Sequence, residues 1–137
     1  MMKRAWNILP LALLLTLLSG CIELPYTNID NEELKGLLSQ GVPIVDVRRP
    51  DEWRQTGVIQ GSDRITFVNG RGQTHPNFLP TFTAKYPKDQ PVIVICRTGN
   101  RTQTLARYLA KEQGYTQVYN VYNGITAWIA ERNPVVR

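Results

Sequence analysis

From Val92 to Ile95 four β-branched apolar positions follow one another without a polar break, between Pro91 and Cys96. Such a run suits a central strand covered on both faces. Val42 to Val47 reads as a second buried strand, Gln117 to Tyr122 as a last one, and Arg64 to Val68 as a strand of weaker pattern. Segments of helical spacing separate them. Asp30 caps a helix from Asn31 to Gln40, with Glu33 three residues on as in a capping box, Leu34, Leu37 and Leu38 as its apolar stripe, and Gly41 to stop it. Pro50 to Gln55 reads as a short helix and Pro76 to Tyr86 as another. Arg101 to Gln113 carries Leu105, Ala106, Leu109 and Ala110 on one stripe and ends at Gly114; Gly124 to Glu131 is the last helix. This alternation predicts an α/β domain with a mainly parallel sheet, and 137 residues suffice for one core.

The amino terminus has a different pattern. Lys3 and Arg4 precede an apolar stretch of 11 residues, Ile8 to Leu18, and then Ser19-Gly20-Cys21. A membrane-spanning helix needs about 20 apolar residues, so the stretch reads as a secretion signal. Leu18-Ser19-Gly20-Cys21 resembles the lipobox of bacterial lipoproteins. That resemblance implies residues 1–20 as a signal peptide, a diacylglycerol thioether on Cys21, residues 21–26 as a lipidated cysteine and short tether, and the domain proper over 27–137. It also implies a lipid-anchored, periplasm-facing place in the cell envelope. In a cell with two membranes, Ile22 after the cysteine favours the outer one. Removing the signal takes two positive charges, Lys3 and Arg4, from a formal balance of +5, which leaves too mild a basicity to imply a nucleic-acid partner.

The chain has two cysteines. With Cys21 lipidated, Cys96 is alone in an oxidising compartment, with no partner for an intramolecular disulfide. It stands where the most apolar strand ends, followed by Arg97-Thr98-Gly99-Asn100-Arg101 and a helix. Ligands of open α/β sheets collect at the carboxyl ends of strands. A strand-to-helix loop can aim several amides at one point, Gly99 permits positive φ, and the helix amino terminus adds partial positive charge. Together with Arg97 and Arg101 these favour a thiolate at Cys96 and hold an anionic substrate around it, a thiosulfonate or a phosphate. A buried, inert cysteine finishing a strand is the usual alternative, but two arginines and a glycine turn are poor core material.

Three separated stretches resemble the rhodanese, or sulfurtransferase, family. Asp46-Val47-Arg48-Arg49-Pro50-Asp51-Glu52-Trp53 with Gly57-Val58-Ile59-Gln60-Gly61-Ser62 is similar to its early signature. The loop from Cys96 is the second, and Asn123-Gly124-Ile125-Thr126-Ala127-Trp128 is similar to its closing Gly-Gly-x-x-x-Trp. Val58 stands where histidine is frequent, Ser62 where alanine is and Asn123 where glycine is, all outside the cysteine loop. The resemblance implies a rhodanese-like single domain: a mainly parallel five-stranded sheet with helices on both faces. It implies Cys96 as the nucleophile that carries a persulfide, and Arg97, Thr98, Gly99, Asn100 and Arg101 as the cradle for the substrate. Arg101 is the first choice of side chain for the anion and Arg97 the second. Partners implied are a small anionic sulfur donor such as thiosulfate and an acceptor molecule or protein with a thiol, or cyanide; no cofactor or metal is called for. Cysteine phosphatases of related fold use Cys-x5-Arg, whereas Cys96 to Arg101 is Cys-x4-Arg and fits a single sulfur better than a phosphoryl centre. A non-catalytic envelope module that binds a partner protein or an anion is the alternative of a different class.

Other residues read as structural. Asp46 is expected to fix a turn or pair with Arg48, and Trp53 and Trp128 to anchor packing. His75, in a polar turn with no ligand-spaced neighbour, reads as a surface histidine. Arg48, Arg49, Arg54, Arg64 and Arg71 are expected to form a positive rim.

Overall fold

The structure, a computed structural model, describes residues 20–137; the signal segment expected at the amino terminus lies outside them, save Gly20. Ten elements alternate along the chain: β1 (Thr27–Ile29), α1 (Asn31–Ser39), β2 (Ile44–Asp46), α2 (Pro50–Thr56), β3 (Asp63–Arg64), α3 (Phe78–Lys85), β4 (Val92–Ile95), α4 (Asn100–Lys111), β5 (Val118–Val121) and α5 (Gly124–Ala130). The strands form one sheet in the order β1-β5-β4-β2-β3, every neighbouring pair parallel.

The apolar run of β4 explains how the sheet is covered. All four residues are buried, and alternate side chains leave on opposite faces. Val92 and Val94 join a core with Val45, Phe78 and Phe82, Leu105 and Leu109, so α3 and α4 cover that face. Ile93 and Ile95 join Ile44, Leu34, Ile125 and Trp128, so α1 and α5 cover the other. Each fully buried Val, Ile, Leu or Phe contributes roughly 1.5–3 kcal/mol relative to exposure. The expected five-stranded parallel sheet with helices on both faces is the observed architecture.

The caps follow their residue types. The Glu33 N–H donates to Asp30 Oδ1 at 2.8 Å and the Asp30 N–H to Glu33 Oε2 at 2.9 Å, the reciprocal capping box.

Three expectations change. β1, which the pattern does not announce, is an edge strand of three residues in which only Ile29 is buried. The strand expected over Arg64 to Val68 is confined to Asp63–Arg64. Its backbone still follows β2, with the Ile65 N–H on Asp46 O at 3.2 Å and the Phe67 N–H on Val47 O at 3.0 Å. It then turns back on itself, and Val68 pairs antiparallel with Thr74. The helix expected from Pro76 starts at Phe78.

Chain direction makes a switch point. From β2 the chain steps to β3 at one edge, returns across β2 to β4, and moves on to β5 on the other side. The connections leaving β2 and β4 therefore diverge, and the crevice between their carboxyl ends is where such sheets place ligands.

Candidate active site

Cys96 follows β4 at that crevice and is 1% exposed. Its Sγ accepts the Gly99 N–H at 3.2 Å and lies 3.4 Å from Thr102 Oγ1. Among the described residues the N–H groups of Arg97, Thr98, Asn100, Arg101 and Thr102 meet no acceptor within the protein. They belong to the loop and to the first turn of α4, whose amides a helix leaves unpaired. The sulfur thus sits where unpaired donors gather.

Two glycines allow the loop to close this tightly. Gly99 has φ +92°, and a Cβ there would lie 2.0 Å from the carbonyl oxygen of Tyr122. Gly124, with φ +64°, presses on the loop from the other side: a Cβ would lie 2.3 Å from Arg97 O. The first turn of α5 is tied to the loop by Ile125 N–H on Cys96 O at 2.9 Å and Thr126 N–H on Arg97 O at 3.1 Å. The closing Asn123 to Trp128 motif is therefore a strap for the Cys96 loop. Trp128 is its buried anchor, with Nε1 donating to Pro134 O at 2.8 Å.

The early motif supplies the opposite wall. Arg48 and Asp46 are fully buried; Arg48 Nε donates to Asp46 Oδ1 at 2.9 Å and Nη2 to Oδ2 at 2.8 Å. Trp53 Nε1 donates to the same carboxylate at 3.0 Å. The expected Asp46–Arg48 pairing is present, and Arg48 is removed from the expected positive rim: its remaining donors go to Thr56 Oγ1 and Gly57 O at 2.8 and 2.9 Å, inside the protein. Arg49 pairs with Asp51, while Arg54, Arg64 and Arg71 are exposed.

Next to Arg49, Glu52 is buried and accepts Arg101 Nη1 and Nη2 at 2.8 and 2.7 Å, together with the Arg49 N–H at 3.0 Å. Burial alone would push the Glu52 carboxyl up; the hydrogen bonds from Arg101 and the Arg49 backbone, with both positive charges, outweigh it and hold it at about 2. The hydrogen bond to Glu52 likewise raises Arg101, against its partial burial. Of the expected cradle residues, Gly99 touches the sulfur, and Thr98, Asn100 and Arg97 are exposed around it. Arg97 has no ion-pair partner among the described residues, whereas Arg101 is committed to Glu52. The free structure therefore presents Arg97 ahead of Arg101 as an anion contact. Glu52 and Thr102 are site residues that sequence reasoning does not pick out.

Beside the loop, a cavity of ≈ 360 Å³ opens between Asn100, Arg101 and Thr104 on α4 and Phe67, Val68, Gly72 and Thr74 on the turned-back segment. Exposed His75 lines a second cavity with Trp53 and Arg64. No cluster of three or more His, Cys, Asp or Glu side chains able to hold a metal occurs among the described residues.

A parallel α/β sheet with a cysteine loop at its switch point, strapped by the first turn of the last helix, is the arrangement of a known family. The rhodanese-like domain pattern matches residues 30–131, and the chain belongs to that family. It is 33% identical over 111 residues to a sulfurtransferase of Allochromatium vinosum, covering 80% of this chain and 94% of that one. It is 34% identical over 99 residues to the thiosulfate sulfurtransferase GlpE of Pseudoalteromonas translucida, covering 72% and 84%. Among solved structures, a rhodanese-related protein from Thermoplasma volcanium superposes with a TM-score of 0.63 at 29% identity, over 81% of this chain and 98% of that one.

Proposed function

We propose that the protein is a sulfurtransferase in which Cys96 takes up sulfane sulfur as a persulfide and passes it to a thiol or to cyanide. The observation that carries this reading is the Cys96 sulfur, already accepting the Gly99 N–H in a loop whose other amides are unpaired. The thiolate attacks the outer sulfur of thiosulfate, the S–S bond breaks, and sulfite leaves with the bonding pair. The terminal sulfur of the new Cys96 persulfide then lies among the free amides of Arg97, Thr98, Asn100, Arg101 and Thr102, preorganised donors for the charge it carries. Arg97 draws the anion in from solvent. An acceptor thiolate or cyanide attacks the terminal sulfur and releases the Cys96 thiolate.

The acceptor's nucleophile comes from another molecule. Cys21, the only other cysteine, precedes β1, whose approach, Leu24 to Thr27, lines a cavity with Thr116 to Tyr119 at the start of β5, the edge of the sheet opposite Cys96. The names of the relatives, sulfurtransferase and thiosulfate sulfurtransferase, agree with this class of reaction.

Incubation of residues 22–137 with thiosulfate should add about 32 mass units, one sulfur, and C96S should gain none. Failure of the unsubstituted domain to gain sulfur from thiosulfate or from organic persulfides would end this reading. We further propose that Cys21 carries the lipid that holds the domain at the envelope membrane; a C21S form still in the membrane fraction would end that part alone.

A further inference from the structure

Four ionised side chains meet where β2, α2 and the start of α4 come together, and they close into two pairs. Arg48 spends its charge on Asp46. Arg101 spends its charge on Glu52, to which it gives both terminal nitrogens, at 2.8 and 2.7 Å. Glu52 is only 7% exposed, and its second neighbour, the Arg49 guanidinium at 3.6 Å, is shared with Asp51. Arg101 stands in the first turn of α4, on the loop that Cys96 opens, and lines the cavity beside that loop with Asn100. The quartet as a whole is neutral, so the only uncancelled positive charge within the loop is the exposed Arg97. A thiolate at Cys96 offsets that one.

A dianion gains twice as much as a monoanion from each uncancelled positive charge. A site built to attract thiosulfate would leave Arg101 free to face it. Here a buried carboxylate from a segment 49 residues away holds that guanidinium through both terminal nitrogens.

We propose that Glu52 sets donor selectivity: by cancelling the charge of Arg101 it tunes the Cys96 loop toward sulfur donors bearing one negative charge or none, thiosulfonates and organic persulfides, and away from dianionic thiosulfate. Glu52 acts through Arg101 and is a positioning residue. The inference rests on the sulfurtransferase reading of Cys96. With a thiosulfonate the step balances as it does for thiosulfate: the thiolate bonds to the outer sulfur, the S–S bond breaks, and a sulfinate leaves with the electron pair. With a neutral persulfide, the thiolate takes the outer SH and a thiolate leaves.

Thiosulfate and methanethiosulfonate make the test, because they differ by one charged oxygen replaced by a methyl group. The readout is the ratio of their kcat/KM values for transfer to cyanide. E52Q, which frees one positive charge, should shift the ratio toward thiosulfate by roughly tenfold at low salt, the effect of one unit charge on one additional negative charge about 4–5 Å away at intermediate screening. R101Q, which leaves Glu52 unpaired, should shift it the opposite way, and E52Q/R101Q should return it close to the starting value. The shifts should shrink at high ionic strength. A merely structural role would slow both donors alike, so a ratio unmoved in E52Q and R101Q would overturn the proposal. Should E52Q fail to fold, R101Q and the double variant still decide it by the sign of their shifts. Absence of sulfur on Cys96 from either donor would instead overturn the sulfurtransferase reading on which it rests.

Discussion

Two arginine–carboxylate pairs lie side by side in this protein and do different work. Arg48 and Asp46 are two residues apart in sequence, both completely out of solvent, and fully enclosed by hydrogen bonds. Arg101 and Glu52 come from distant segments, and the side chains remain 22% and 10% exposed beside the reactive loop. Removing one partner of the first pair strands a buried charge; removing one partner of the second changes a field at the site and leaves water able to reach what remains. Sequence separation and burial together mark which pair holds the fold and which adjusts the chemistry.

R48M breaks the inner pair and should have the largest effect. Asp46 would keep only Trp53 Nε1 and the backbone N–H of residue 48 as partners, and losing one member of a buried pair costs about 3–5 kcal/mol. A denaturant melt should show the loss, and R48M/D46L should recover most of it.

G124A moves the loop without altering either pair. Its Cβ would press on Arg97 O, so a cost of roughly 2–3 kcal/mol is expected from strain at positive φ and overpacking. Sulfur uptake by Cys96 should fall more steeply than stability, as measured by intact mass alongside the melt.

E52Q, at the outer pair, should cost about 1 kcal/mol or less, since solvent screens the part-exposed Arg101. A loss as large as that of R48M would erase the distinction between the pairs.

The smallest effect is on pH dependence. The Glu52 carboxyl is held at about 2 in the folded protein against an ordinary 4.5. Its contribution to stability is therefore complete above 4.5 and disappears as the pH falls through about 2. The acid limb of the stability curve should be shallower in E52Q than in the parent across that window, with equal slopes counting against the pairing.

The residues differ in how much they disclose before folding. Val92 to Ile95, the capping box at Asp30 and the glycine stops are legible because the forces that shape them act within a few residues. Cys96 is legible for the same reason, as the polar end of an apolar strand. β1 is silent because three residues with one buried side chain carry no period. Arg64 to Val68 shows an apolar alternation that is real, with Ile65 and Phe67 packed in the core, yet the backbone leaves the sheet early. Arg48 reads as surface because a charged side chain is ordinarily solvated, and only tertiary enclosure reverses that. Glu52 and Thr102 are hidden for a related reason: what each does depends on a contact made by folding, across 49 residues in one case and across the six from Cys96 to Thr102 in the other.

The all-parallel sheet also gives the domain a polarity. The segment leading from Cys21 enters at the starting edge of the strands, and Cys96 lies at their finishing edge. On the anchoring proposed for Cys21, residues 22–26 would reach at most about 18 Å when extended, so a lipid there would fasten one pole close to the membrane and leave the pole that carries Cys96 facing outward. Such a protein would collect and hand over sulfur on its aqueous side, and a partner buried in the same leaflet would meet only the back of the molecule.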